Sequence, residues 1–127
     1  MNINDLTGQI IGSAIEVHST LGPGLLESAY EECLCQELLT RRIEFERQKP
    51  LPVKYKETVL NCGYRLDIVV ENKVIVELKA CSNIDQIHKA QLLTYLKLSG
   101  IQIGLILNFN VPIMRDGIVR IVNKLDA

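Results

Sequence analysis

Asp67, Glu77 and Lys79 are the residues whose types and spacing could do chemistry. They lie between Gly63 and Ala80, in G-Y-R-L-D-I-V-V-E-N-K-V-I-V-E-L-K-A, where the surrounding positions are mostly Val, Ile and Leu. Such β-branched runs form central, buried strands. A charge in a buried strand is costly unless it is paired or holds a metal. Two carboxylates and the main-chain carbonyl of Leu78 offer hard oxygens, the donors that Mg²⁺ or Mn²⁺ prefers. A metal there would offset charge on a phosphodiester transition state and lower the pKa of a bound water. The Lys79 ammonium could hold the attacking water and stabilise developing charge.

Pairing register brings these groups together. With Glu71-Asn72-Lys73 as a three-residue hairpin loop, Val70 faces Val74, Asp67 faces Glu77 and Arg65 faces Lys79. Alternation then puts these four charged residues on one face, and Leu66, Ile68, Val70, Val74, Val76 and Leu78 on the other. Opposed carboxylates repel unless a cation lies between them or one takes a proton. A two-residue loop would point Asp67 and Glu77 apart.

The rest of the chain must frame this hairpin. Leu6, Ile10, Ala14 and Val17 recur at helical spacing, which predicts a helix over about residues 4–20, capped by Asn4 or Asp5. Leu21-Gly22-Pro23-Gly24 breaks it. A second helix over about 25–42 carries Leu26, Tyr30, Cys33, Leu34, Glu37 and Leu38 as its stripe. Glu27 falls in its first turn, where the helix dipole alone would favour an acid. Ile43 to Tyr55 alternates like a strand, with Pro50 and Pro52 confining its middle to an edge or bulge. Lys49, Lys54 and Lys56 there suit either a solvated, protected edge or phosphate contact. A third helix spans about 85–99 and ends at Gly100. Ile87, Leu92 and Leu96 share one side of it, and His88, Gln91 and Tyr95 form a polar stripe that could equally be a solvent face. Residues 101–109 form a second buried strand, reached by a parallel crossover. A last strand, 118–122, follows the turn at Asp116-Gly117. The predicted order is α-α-β-β-β-α-β-β in one domain over 1–127, of α/β (mixed α+β) class.

Here the residues resemble a family. The chain is similar to small members of the PD-(D/E)XK nuclease superfamily, of the group called GxxExxY proteins. That motif is present as Gly24-Leu25-Leu26-Glu27-Ser28-Ala29-Tyr30, and Asp67 with Glu77-Leu78-Lys79 match the superfamily's acidic elements. Gln91-Leu92-Leu93-Thr94-Tyr95 matches the Gln-x-x-x-Tyr motif of RecB-like nucleases. The Pro that often precedes the Asp is replaced by Leu66. The resemblance implies a restriction-endonuclease-like core and a Mg²⁺- or Mn²⁺-dependent nuclease acting on DNA. It implies Asp67, Glu77 and the Leu78 carbonyl as metal ligands, Glu27 as a further acidic ligand, and Lys79 as the catalytic lysine. Gln91 would orient substrate or water, and Tyr95 would support the site or contact phosphate. Arg65 is expected as a charge partner or phosphate contact, and His88 as a supporting or phosphate-contacting group. The alternative is a nucleic-acid-binding or accessory module that keeps the fold without turnover.

Composition is consistent with both readings. A 127-residue chain with 47% hydrophobic residues suffices for one core. Its formal charge of -1 gives no global nucleic-acid signal, so a homodimer or protein partner is expected to supply what the chain lacks. No segment has the length of a membrane span or the pattern of a secretory signal, so the expected compartment is the cytoplasm. Cys33, Cys35, Cys62 and Cys81 lack zinc spacing and suit reduced thiols.

Overall fold

The computed structural model describes residues 1–124. Asn2 caps the first helix, α1 (Ile3–Leu21), by accepting from the Asp5 N–H at 2.8 Å, earlier in the chain than the expected Asn4 or Asp5. Gly22, at φ 69°, and Gly24, at φ 105°, take backbone conformations that β-carbons disfavour and turn the chain into α2 (Glu27–Thr40). Leu26 is the N-cap residue of α2 and is exposed rather than part of its buried stripe, which is Tyr30, Leu34, Cys35 and Leu38.

The expected strand from Ile43 to Tyr55 is split. β1 (Phe45–Pro50) ends where Pro50 and Pro52 withhold ladder hydrogens, and β2 (Val53–Tyr55) pairs instead with β3 (Thr58–Leu60) in a separate two-stranded sheet. The chain continues through β4 (Arg65–Val70), β5 (Val74–Lys79), α3 (Gln86–Ser99), β6 (Ile103–Asn108), a 3₁₀ turn (Met114–Gly117) and β7 (Ile118–Val122). The main sheet has the order β1-β4-β5-β6-β7, with β5 and β6 parallel and the other neighbours antiparallel. The crossover through α3 makes that parallel pair.

Helices cover both faces of this sheet, which is why β5 and β6 are apolar almost throughout. On one face, Leu6, Ile10, Tyr30 and Leu34 of α1 and α2 pack on Ile68, Val70, Val76 and Leu78. On the other, Leu92, Tyr95 and Leu96 of α3 pack on Val69, Ile75 and Ile106. Gly104 lets α3 come close, since a β-carbon there would lie 2.8 Å from the Leu92 side chain. Ile87, expected beside Leu92 and Leu96, is 70% exposed, because five and nine residues along a helix put those two on the opposite side from it. Among the described residues, no helix is long and apolar enough to cross a membrane.

Candidate active site

The three-residue loop is present: Val70 pairs with Val74, and the Lys73 N–H donates to the Val70 carbonyl at 2.9 Å. Glu71 and Asn72 carry the positive φ values, 49° and 58°, that the tight reversal requires. From there the β4–β5 ladder runs as far as Ile68↔Val76 and stops. Asp67 is the one β4 residue that pairs with neither β1 nor β5. Its counterpart on β1, Gln48, is pushed to φ 50°.

Side chains replace the missing ladder. Glu77 Oε2 accepts the Asp67 N–H at 2.9 Å, and Asp67 Oδ2 accepts the Leu78 N–H at 2.9 Å. The local distortion also reverses alternation. Leu66, expected beside Ile68 and Val70, packs instead in the α3-side cluster with Val69. Asp67 Oδ1 and Glu77 Oε1 enter no hydrogen bond among the described residues, and neither is sealed from solvent.

The electrostatics follow from this placement. Glu77 is only 7% exposed. Burial, reinforced by the Asp67 charge, pushes its pKa from the usual 4.5 to about 8, against the pull of the Asp67 N–H and of Lys79. Burial also raises Asp67; the Leu78 N–H and Lys79 oppose this rise, while Glu31 and Glu27 add to it. Without added cation the pair therefore holds a proton near neutral pH. Lys79 is half-buried and makes no ion pair among the described residues.

Glu27, the first residue of α2, reaches the same strand end. Its Oε1 accepts the Ala80 N–H at 3.3 Å. Tyr30 explains how it is held there. The fully buried Tyr30 ring stacks on Phe109, centroids 4.4 Å apart, while its hydroxyl donates to the Gly22 carbonyl at 2.6 Å and accepts the Leu25 N–H at 3.1 Å. The turn before α2 is thus tied to the core, and Glu27 is aimed from it. Gly24, Glu27 and Tyr30 act as one mechanical unit: bend, acid and anchor.

The polar stripe on α3 divides into three. Tyr95 is buried beside the carboxylates; burial raises its pKa, helped by Glu77, Tyr64 and Asp67. Gln91 is exposed, one turn nearer the start of α3. His88 Nδ1 accepts the Asp85 N–H at 3.0 Å, closing the helix start and leaving Nε2 as the protonated nitrogen of the neutral ring. Arg65 is exposed and donates to the Gln48 carbonyl at 3.2 Å; it makes no ion pair with Asp67 or Glu77.

Two supporting groups escaped sequence reasoning. Asn108, 2% exposed, lies beside Lys79 in the parallel ladder. It brackets Cys81, donating to its carbonyl at 2.9 Å and accepting its N–H at 3.2 Å, and so fixes the chain just after Lys79. Its place in an apolar run was the available signal. Glu31, four residues after Glu27, accepts from Arg47 at 2.8 Å and from Gln48 at 2.8 Å, bracing β1 beside Asp67. Cys33, Cys35, Cys62 and Cys81 are free, and burial pushes the Cys35 thiol up to about 11.

Among the described residues, no three His, Cys, Asp or Glu side chains are gathered closely enough to enclose a metal. The donor types nonetheless fit a hard divalent cation: two neighbouring carboxylates each keep an uncommitted oxygen, burial raises the proton affinity of both, and the Asp67 charge raises that of Glu77 further.

A mixed five-stranded sheet with helices on both faces, and an Asp and a Glu-x-Lys on adjoining central strands, defines a restriction-endonuclease-like fold. A family model, the PD-(D/E)XK nuclease superfamily, matches residues 4–121, and the chain belongs to that superfamily. No curated protein and no solved structure matches it significantly.

Proposed function

We propose that the protein is a metal-dependent nuclease that hydrolyses phosphodiester bonds of DNA, and that within its superfamily it falls in the GxxExxY group. One observation carries the reading: a largely buried carboxylate pair, with one free oxygen on each partner, beside a lysine that forms no ion pair among the described residues. As a purely structural cluster it would be a poor stabiliser compared with apolar packing. Asp67, Glu77, the Leu78 carbonyl and Glu27 would hold Mg²⁺ or Mn²⁺. When bound, that cation supplies Lewis acidity toward the phosphate and lowers the pKa of water. Lys79 holds the attacking water and stabilises charge developing on phosphorus oxygens. Gln91 orients substrate or water. Tyr95, Arg65 and the Nε2–H of His88 serve phosphate contacts. On this reading it acts in the cytoplasm, as a homodimer or with a protein partner.

A second reading is favoured by the way Glu77 and Asp67 each commit an oxygen to a backbone N–H. Such a site can persist as a scaffold, leaving a nucleic-acid-binding or accessory module. Incubation with single- and double-stranded DNA and RNA in Mg²⁺, Mn²⁺ or EDTA, beside Lys79→Ala, separates the two. Cleavage that requires metal and falls about 10²–10⁴-fold in Lys79→Ala supports the nuclease. Absent cleavage together with absent metal binding by calorimetry leaves the module.

A further inference from the structure

The β2–β3 hairpin takes no part in the chemistry above. It is a separate two-stranded sheet, with register Val53↔Leu60 and Tyr55↔Thr58. Tyr55 and Val59 are 62% and 65% exposed, and every β3 residue is exposed. A lone hairpin of this size is marginally stable in water, and an apolar, exposed one marks a contact surface.

Its base stands at the site. The Leu51 N–H donates to the Tyr64 carbonyl at 2.9 Å, and Leu51 is buried in the α3-side core. The Tyr64 ring lies 6.1 Å from that of Tyr95, whose hydroxyl senses Glu77 and Asp67. The base of the arm is therefore linked to the carboxylate site through Tyr64 and Tyr95.

Its charge is opposite to that of the rest of the chain. Residues 53–60 hold Lys54 and Lys56 against Glu57 alone, while the remainder holds twelve basic and fourteen acidic side chains. Lys56 also sits over the Tyr55 ring, 5.4 Å from its centroid. An exposed aromatic interleaved with lysines suits a single-stranded polynucleotide, whose unpaired bases offer faces for stacking and whose phosphates offer charge. A duplex hides those faces.

We propose that the β2–β3 hairpin is an arm that binds single-stranded nucleic acid, Tyr55 stacking on a base and Lys54 and Lys56 meeting phosphates, and feeds the strand to the carboxylate site. The proposal rests on the nuclease reading for its direction toward that site.

The test measures fluorescence anisotropy of a labelled oligothymidylate of about 16 nucleotides and of a duplex of equal length, in EDTA so that nothing is cut. The full chain should prefer the single strand. Tyr55→Ala should weaken that binding about tenfold. Lys54→Gln with Lys56→Gln should lower the slope of log affinity against log salt by about 1.4, whereas Lys97→Gln, on the last turn of α3, should leave it unchanged. All four positions lie outside both cores, so melting temperatures should hold. Unchanged single-strand binding in both arm variants, or tighter binding of the duplex, overturns the proposal. A chain that cuts DNA with Mg²⁺ while its arm variants bind normally removes the arm alone. A chain that cuts nothing, yet loses single-strand binding with Tyr55→Ala, keeps the arm and removes the nuclease.

Discussion

Asp67 and Glu77 satisfy the backbone of each other's strands: the Glu77 carboxylate accepts the Asp67 N–H, and the Asp67 carboxylate accepts the N–H of Leu78, both at 2.9 Å. Two acids thus stand where ladder hydrogen bonds would be, and the sheet opens at that end without leaving these two donors unpaired. The arrangement keeps the acids close despite their repulsion.

It makes stability depend on pH in an unusual direction. Glu77 has a folded pKa of about 8 against an ordinary value of 4.5, so between these values the folded chain binds more protons than the unfolded one. Stability contributed by this proton is complete below about 4.5 and is lost as pH rises through 8. Thermal melts in EDTA should show a lower midpoint at pH 8.5 than at pH 5.5, by an amount on the order of a few kcal/mol in stability. Glu77→Gln, which keeps an acceptor for the Asp67 N–H, should flatten that profile. Mg²⁺ should raise the midpoint more at pH 8.5 than at 5.5, because it competes with the proton. A midpoint that climbs steadily from pH 5.5 to 8.5 in EDTA would contradict the assignment.

Tyr30→Phe removes one hydroxyl and leaves the stacked ring in place. The Gly22 carbonyl and the Leu25 N–H lose their partner, at a cost of about 1–3 kcal/mol. Because this turn aims Glu27, DNA cleavage should fall by more than the change in folded fraction explains. Urea melts and cleavage rates measured on the same preparation compare the two.

Asn108→Ala frees the segment after Lys79. Cys81 loses both its bonds to the amide, and a stability loss of about 2–4 kcal/mol is expected. Asn108→Asp keeps the acceptor for the Cys81 N–H but sets a carboxylate against the Cys81 carbonyl, so it should also destabilise. Chemical denaturation of both variants reads this.

Arg42 follows α2 at φ 60°, a conformation suited to glycine. Arg42→Gly should raise stability by about 0.5–1 kcal/mol, read as a higher urea midpoint with cleavage unchanged.

The site's legibility varied with how local each determinant is. The register from Val70↔Val74 to Ile68↔Val76 followed from loop length, because a hairpin is a local object; Asp67 and Glu77 meet just beyond it through side-chain bonds to the backbone. The face of Leu66 did not follow, since alternation assumes an unbroken ladder and the break at Asp67 arises from side-chain bonds. The order of elements was legible except where Pro50 and Pro52, read as a bulge, instead release a hairpin with its own pairing. Glu27 and Tyr30 could be recognised as a motif, but their mechanical link runs through Phe109, far along the chain. His88, expected as a supporting or phosphate-contacting group, also holds the start of α3 through Nδ1. That bond needs only the Asp85-x-x-His88 spacing, so it was visible in principle.

The parallel joint between β5 and β6 also sets a timetable. The β4–β5 hairpin closes over a short loop, an event of about 1–10 μs, so Asp67 and Glu77 meet while still hydrated. β6 cannot join until α3 has formed and crossed the sheet, a slow, non-local step. Only then are the acids desolvated and the chain beyond Lys79 locked by Asn108. The electrostatic penalty of the site accordingly arises on the native side of the folding barrier. At pH 8.5, where Glu77 is charged, Glu77→Gln should leave the folding rate nearly unchanged and slow unfolding, visible as a displaced unfolding limb of the chevron.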